Sequence, residues 1–351
     1  MPPAELWVAL CSDTEDNYPS YVPGWKLYGS NYDCHDASLR LDWTQYWHVL
    51  SEQFRRSGFP ITWLIRVDDG PMCTVMPQRF KTEILRLRSE GDEIGIHIHT
   101  YFWDPQLFIW RQTKDAEHEA RIVRRSIEYF REILGFNPLS VRMGWNAMSN
   151  GIMETLNHEG ILVDASGIPG IHCKGKYGKR DNIFDWKNAP DEPYHPSTEN
   201  YSSGGKMKIL EIPVSVVGRS DTNSKKMVEK ISNTSTAYKT MRLLPLIRRF
   251  SNFNPNPFFY ISPWWSISII NKIINKYVQK ARKNGTAFLV GFFHSSDILD
   301  PRTGGENLFF KLNIEHMIQA ITEIKGAKVR YLTLSQCAQE YERMNTQKIE
   351  K

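Results

Sequence analysis

Two histidines stand two residues apart in Gly91-Asp92-Glu93-Ile94-Gly95-Ile96-His97-Ile98-His99, a spacing with chemical meaning only on a β-strand. Side chains alternate across a strand, so Ile94, Ile96 and Ile98 share an apolar face while Glu93, Gly95, His97 and His99 share the other. A helix would scatter the imidazoles, because positions two apart do not face each other there. Similar polar residues end other apolar runs: Asp13 and Glu15 after 6–12, Arg66 and Asp68 after 59–65, Arg142 after Val141, and His294 after 286–293. Converging carboxylates and neutral imidazoles are the ligand set of a catalytic zinc or similar divalent ion, with three protein ligands and water in the open position. Singly, each has a plainer explanation. A lone HxH is more often a strand with satisfied histidines, two acids at a strand end more often anchor a loop, and a lone arginine more often completes a buried ion pair. Their joint placement is what favours a site.

To bring these residues together, the chain must deliver them on the ends of neighbouring strands. Residues 6–15, 59–67, 93–99, 161–164, 207–213, 286–294 and 329–334 read as strands, with a further short one near Val141. Helical periodicity runs through 41–58, 77–89, 116–134, 152–159 and 309–325, with Gly58, Gly135 and Gly160 as stops. Strand alternating with helix in this way is an α/β architecture with a parallel sheet, either open or closed as a barrel. In such sheets ligands gather at the carboxyl ends of the strands, where the candidate residues stand. Residues 167–205 read as irregular, and those after 334 as a polar tail expected to fray. No repeat or low-complexity run divides the chain, so it reads as one domain, 1–351, with a basic, mostly helical insertion at 215–283.

With 351 residues and 41% hydrophobic content the chain can bury a full core, and its composition excludes disorder, collagen and coiled coil. The five cysteines (Cys11, Cys34, Cys73, Cys173, Cys337) are widely spaced and lack a CxxC, which fits a reducing compartment. The first residues carry no basic n-region or long apolar h-region, and the apolar stretch 257–274 is interrupted by Pro263, Asn271 and Lys272. A soluble, cytoplasmic protein is expected. Its formal charge of +5 is unevenly spread: between Lys225 and Lys283 there are twelve basic residues and one acid, leaving the remainder at about −6. Such a field suits an anionic neighbour, a phosphorylated substrate or a lipid headgroup; a solvated lysine-rich face is the alternative.

Four segments, in order, carry a more specific pattern. Val8-Ala9-Leu10-Cys11-Ser12-Asp13-Thr14-Glu15-Asp16 is a strand ending in acids separated by one residue. Gly91-Asp92-Glu93-Ile94-Gly95-Ile96-His97 matches a GHEIGxH strand. Val141-Arg142-Met143-Gly144-Trp145 sets an arginine before a groove-forming aromatic, and Leu289-Val290-Gly291-Phe292-Phe293-His294 delivers a histidine from an apolar strand. Together they resemble the motifs of the polysaccharide deacetylases, the NodB-homology group also called carbohydrate esterase family four. Tyr194-His195-Pro196-Ser197 and Leu210-Glu211-Ile212-Pro213 are similar to segments of a cytoplasmic branch found near bacterial cell-surface glycan genes. Two positions depart from the common pattern. Its histidines stand four apart, where this chain has Tyr101 and offers the nearer His99, and Glu15 stands where most members have aspartate.

The resemblance implies a distorted (β/α)7-type barrel and hydrolysis of an N-acetyl group, less often an O-acetyl group, on a sugar of a cell-surface glycan or its precursor. It implies one divalent ion, zinc foremost, held by Glu15, His97 and His99. Asp13 would be the general base, oriented by Arg142, and His294 would protonate the departing amine with Asp297 or Asp164 as its acidic partner. Tyr101, Trp103, Trp145, Arg66 and Asp68 are the expected substrate contacts; Trp103, Trp145 and Trp186 are each either a stacking surface for a sugar ring or packing at the barrel mouth, and Arg66 and Asp68 either bind substrate hydroxyls or pair with each other. The partner would be an N-acetylated carbohydrate, phosphate- or lipid-linked, with peripheral membrane contact through the basic insertion. Nucleic acid is disfavoured, because the aromatic residues of that segment cluster in one apolar run and do not interleave with the charges. Two other readings stand: a carbohydrate-binding protein on a catalytically impaired deacetylase fold, and an amidase acting on a non-sugar amide.

Overall fold

Leu6, Trp7, Val8, Ala9, Leu10 and Cys11 are consecutive and all buried, which a strand achieves only when both of its faces are covered. The structure, a computed structural model, describes residues 3–15, 44–67, 75–104, 109–112, 115–174, 183–217, 258–261, 267–298 and 306–349. Its elements follow in the order β1 (Glu5–Thr14), α1 (Thr44–Arg56), β2 (Ile61–Arg66), α2 (Val75–Arg79), α3 (Lys81–Ser89), β3 (Glu93–Ile98), β4 (Tyr101–Asp104), β5 (Ile109–Gln112), α4 (Ala116–Leu134), β6 (Ser140–Met143), α5 (Asn150–His158) and β7 (Val163–Asp164). Then come β8 (His172–Lys174), β9 (Ile183–Asp185), β10 (Leu210–Glu211), α6 (Ile267–Asn284), β11 (Thr286–His294), α7 (Leu308–Thr322), β12 (Lys328–Tyr331) and α8 (Leu334–Ile349).

One parallel sheet runs β10-β7-β6-β3-β2-β1-β11, with β12 also on β1. β1 pairs with β11 along its length, with β12 over Glu5–Val8 and with β2 over Leu10–Thr14. Residues 212–216 then tie one edge of the sheet to the other. Ile212 N donates to Asp164 O (2.8 Å), Val214 N to Gly167 O (2.8 Å) and Ser215 N to Val290 O on β11 (2.9 Å). The sheet therefore curls into an α/β half-barrel, where the alternating pattern alone allows either an open sheet or a closed barrel. Beyond it, residues 258–261 lie along the free edge of β11: Ile261 N donates to Phe292 O (2.8 Å) and Phe292 N to Phe259 O (3.0 Å).

Helices cover the outside. α4 buries Ile122, Val123, Ile127, Phe130 and Leu134, one stripe at helical spacing. Asp115 caps its start by accepting from Glu117 N and His118 N, and Gly135 ends it with φ 79°, a left-handed backbone that glycine adopts at least cost. The acids beside the two histidines serve the scaffold. Asp92 accepts from Ile61 N (3.0 Å) and Trp63 Nε1 (2.9 Å), and Glu93 accepts from Ser335 N (2.9 Å). Of the range 215–283, the structure describes 215–217, 258–261 and 267–283. That last part is nearly all of α6, whose buried Ile270, Ile273, Tyr277 and Ala281 pack against the sheet; the remainder lies outside the described residues. Lys276 and Lys280 of the basic set pair with Asp191 (3.0 and 3.2 Å), and Lys280 also with Glu192 (2.7 Å). Among the described residues no helix is long and apolar enough to cross a membrane.

Two expectations about regular structure need correction. The polar tail is helix α8, held by buried Leu334, Cys337 and Ala338 and by Tyr341 Oη donating to Pro193 O (3.2 Å). Its narrow apolar stripe is diluted by polar residues, which hid the helical period. The run after His99, which falls in none of the expected strands or helices, forms an antiparallel hairpin of β4 and β5 with Trp103 opposite Trp110.

Candidate active site

Register across the parallel strands aligns the polar ends. Asp13 of β1 is level with His294 of β11, Arg66 of β2 with His97 of β3, and His97 with Arg142 of β6. Level residues on neighbouring strands point to the same face, so the inward face collects four cations or imidazoles, Arg66, His97, Arg142 and His294, and the acid Asp13. Glu15, one residue past β1, and His99, one past β3, complete it.

The first grouping is Glu15, His97 and His99. His99 Nε2 lies 2.8 Å from Glu15 Oε1 and His97 Nε2 lies 3.2 Å from the same oxygen. One ligand atom from each of the three lies within 4.8 Å of the others. Both histidines are almost wholly buried. Burial works against the charged form of Glu15, yet the hydrogen bonds from both imidazoles and the charge of Arg66 outweigh it and hold this carboxyl well below its ordinary 4.5. Burial also disfavours the charged form of His97, but Asp13 and the Glu15 hydrogen bond prevail and keep it above 6.5. A carboxylate and two imidazole nitrogens converging from different strands are a donor set that fits a divalent first-row ion. Gly144 makes room for the His99 ring, into which a Cβ there would run.

The second grouping is Asp13, Arg142 and His294. Arg142 Nε sits 3.2 Å from Asp13 Oδ2, and His294 Nε2 sits 3.7 Å from that oxygen. Asp13 Oδ1 and His97 Nδ1 face each other at 3.9 Å, both buried with no hydrogen-bond partner among the described residues. Arg142 is fixed on three sides, donating to Asn146 Oδ1 (3.0 Å) and lying 3.4 Å over the ring of Phe292. Cys11, buried beneath this group, has its thiol pushed up to about 12 by desolvation and donates to Gly291 O (3.4 Å), so it is no nucleophile.

Trp145 follows on a short 3-10 turn, Gly144–Asn146, where Trp145 (φ 59°) and Asn146 (φ 57°) both adopt left-handed backbone. Non-glycine residues there cost energy that surrounding contacts must offset. Here Asn146 is held by Arg142, and its carbonyl accepts from Trp186 Nε1 (3.1 Å). The turn holds Trp145 38% exposed beside the site. Trp186 itself is fully buried, so its role is to prop this turn. Arg66 is 2% exposed, and its guanidinium lies 3.9 Å from Glu15 Oε2. The backbones of Tyr101 and Trp103 lie in β4, while the placement of their side chains, and all of Asp68, falls outside the described residues.

Of the two acids expected behind His294, Asp164 is engaged elsewhere. It accepts from Ser166 N (3.1 Å) and Ser166 Oγ (2.5 Å) and pairs with Glu211. Burial raises both carboxyls, and the Asp164 charge pushes Glu211 further up, well above 4.5. Asp297 is the acid on the His294 side, reached through Tyr260, which sequence reasoning missed together with Asn146. Nothing local marks Tyr260, because its approach depends on 258–261 pairing with β11.

No protein-family model and no curated protein sequence matches this chain. Among solved structures, a Mycobacterium smegmatis protein assigned to the polysaccharide deacetylases superposes with a TM-score of 0.54 at 16% identity, covering 98% of this chain and 93% of that one. A polysaccharide deacetylase from Bacillus cereus covers 93% of this chain and 91% of its own at 9% identity and a TM-score of 0.36. The first likeness defines the class of fold: this chain has the NodB-type barrel of the polysaccharide deacetylases. At such identity the likeness is one of fold, and the chemistry has to be argued from the residues.

Proposed function

We propose that this protein is a metal-dependent hydrolase that removes an N-acetyl group from a carbohydrate, a cell-surface glycan or its cytoplasmic precursor. The observation that carries the reading is the meeting, at the carboxyl ends of β1, β3, β6 and β11, of a carboxylate–imidazole triangle with a separate acid–arginine–histidine group. Glu15, His97 and His99 would hold the ion, with zinc the expected choice for two nitrogens and one oxygen. When bound, such an ion polarises an acetyl carbonyl and makes water nucleophilic at neutral pH. Asp13 takes the proton from the attacking water at its unpaired Oδ1, while Arg142 fixes its other oxygen. His294, on the far side of Asp13, gives a proton to the departing amine through Nε2. Trp145 offers an exposed ring face against which a sugar can stack.

A second reading, a carbohydrate-binding protein on the same fold, draws on Arg66. A guanidinium 3.9 Å from Glu15 opposes a dication through like-charge repulsion. One experiment separates the two. Purified protein loaded with zinc should release acetate from N-acetylated oligosaccharides, and Asp13→Asn should lower kcat by about 100- to 10,000-fold while metal content stays equal. Equal turnover in the variant would refute the assigned base. Absence of turnover together with retained glycan affinity would favour the binding protein.

A further inference from the structure

His294 turns Nε2 towards Asp13 and Nδ1 towards Tyr260. The phenol oxygen of Tyr260 lies 3.0 Å from His294 Nδ1 and 2.8 Å from Asp297 Oδ2. A phenol carries a single proton, and a carboxylate can only accept. With that proton donated to Asp297, the phenol oxygen faces Nδ1 as an acceptor, and the hydrogen between them must belong to the imidazole. The chain then has one polarity: His294 Nδ1–H donates to Tyr260, and Tyr260 O–H donates to Asp297.

Three elements lock this geometry. His294 ends β11, and Asp297 lies in the turn Ser295–Ile298 directly after it. Tyr260 comes from the segment hydrogen-bonded along the β11 edge, and its ring stacks on Phe292 with centroids 4.7 Å apart and planes 13° apart. The same ring meets His294 edge to face at 5.4 Å. Neither ring can turn far without breaking the stack or the backbone pairing. Asp297 is buried beneath them, so the phenol proton is a main means of satisfying its carboxylate.

We propose that Tyr260, backed by Asp297, is a positioning residue for His294: it keeps the proton of the neutral imidazole on Nδ1, so that Nε2 is the nitrogen that takes up a second proton and, from the imidazolium, passes it to the departing amine. The catalytic meaning rests on the deacetylase reading, whereas the tautomer does not. In protein labelled with 15N-histidine, the His294 signals are assigned by their loss in His294→Asn, and the neutral tautomer is read from the two ring nitrogens. The wild-type protein is expected to show Nδ1–H. Tyr260→Phe, which keeps the ring and its stack, is expected to lose that preference and, on an N-acetylated chitooligosaccharide, to lower kcat/KM by about 10- to 100-fold. An Nε2–H tautomer in the wild-type protein, which requires no variant to fold, overturns the proposal, as does an unchanged tautomer in Tyr260→Phe. Failure of the wild-type protein to release acetate would count against the deacetylase reading and leave the tautomer result standing.

Discussion

Gly144 carries no functional group, yet replacing it with alanine should cripple ion binding. Its Cα lies against the His99 ring, and an added Cβ would overlap Cγ, Nδ1 and Cε1 of the imidazole. The ring has little freedom to yield, because its far side is held by Glu15 at 2.8 Å and by an edge-to-face contact with His97 at 4.8 Å between centroids. The backbone at Gly144 is not left-handed, so alanine itself is tolerated there. Overpacking of a tight site costs about 1–3 kcal/mol. If that cost falls on the placement of His99, at about 1.4 kcal/mol per tenfold the affinity for zinc drops roughly 5- to 150-fold. Competition against a chromophoric chelator measures it, with Gly151→Ala as control, since the nearest atom to a Cβ there is Ala116 Cβ at an ordinary 3.5 Å. Wild-type zinc affinity in Gly144→Ala, with cooperative unfolding preserved, would refute the reasoning and remove His99 from the ligand set.

Three further outcomes are expected. Trp145→Ala should raise KM for an N-acetylated oligosaccharide about 3- to 10-fold with kcat little changed, as loss of a stacking face predicts. Glu211 in the folded protein keeps a proton that the unfolded chain releases near 4.5. Its folded value is raised, so stability falls as pH rises from about 4.5 towards that folded value. Glu211→Gln, whose amide can donate to Asp164 in the same way, should flatten that decline and raise the melting temperature more at about pH 8 than at about pH 5; an identical pH profile in thermal unfolding would contradict it. The excess of basic residues between 225 and 283 should give salt-sensitive retention on anionic vesicles, which cosedimentation in low and high salt checks, with salt-independent binding or none as the contrary result.

Local pattern was sufficient where periodicity and punctuation agreed. Strand 286–294 and helix 116–134 emerge with the expected bounds, the first from an unbroken apolar run and the second from a wide apolar stripe closed by Gly135. The rule that parallel strands present their carboxyl ends then placed Asp13, His97, Arg142 and His294 without any knowledge of contacts. What stayed hidden depended on pairing distant in sequence. Tyr260 reaches His294 only because its segment joins the β11 edge, and Asp164 is withdrawn from His294 only because β10 brings Glu211 beside it. Trp186 shows the same limit from the other side: an aromatic in an irregular stretch reads equally as a stacking surface or as packing, and only the fold reveals that it is buried under Asn146.

Glu15 and His99, the two positions at which the sequence departs from the motifs it resembles, meet each other in the structure. A second histidine four residues on would fall at Tyr101, which begins strand β4 of the hairpin. The histidine two residues on sits just past the end of β3 at Ile98, on the same face as His97, and Gly144 leaves space for its ring. With the imidazole at position 99, the acid of β1 has to reach the space between the two histidine rings to meet them. Glutamate extends one methylene further than aspartate, and Glu15 Oε1 does lie within 2.8 and 3.2 Å of the two imidazole nitrogens. Glu15, His97 and His99 therefore converge at their present spacing as a cluster that could hold an ion, with Gly144 leaving room for the His99 ring.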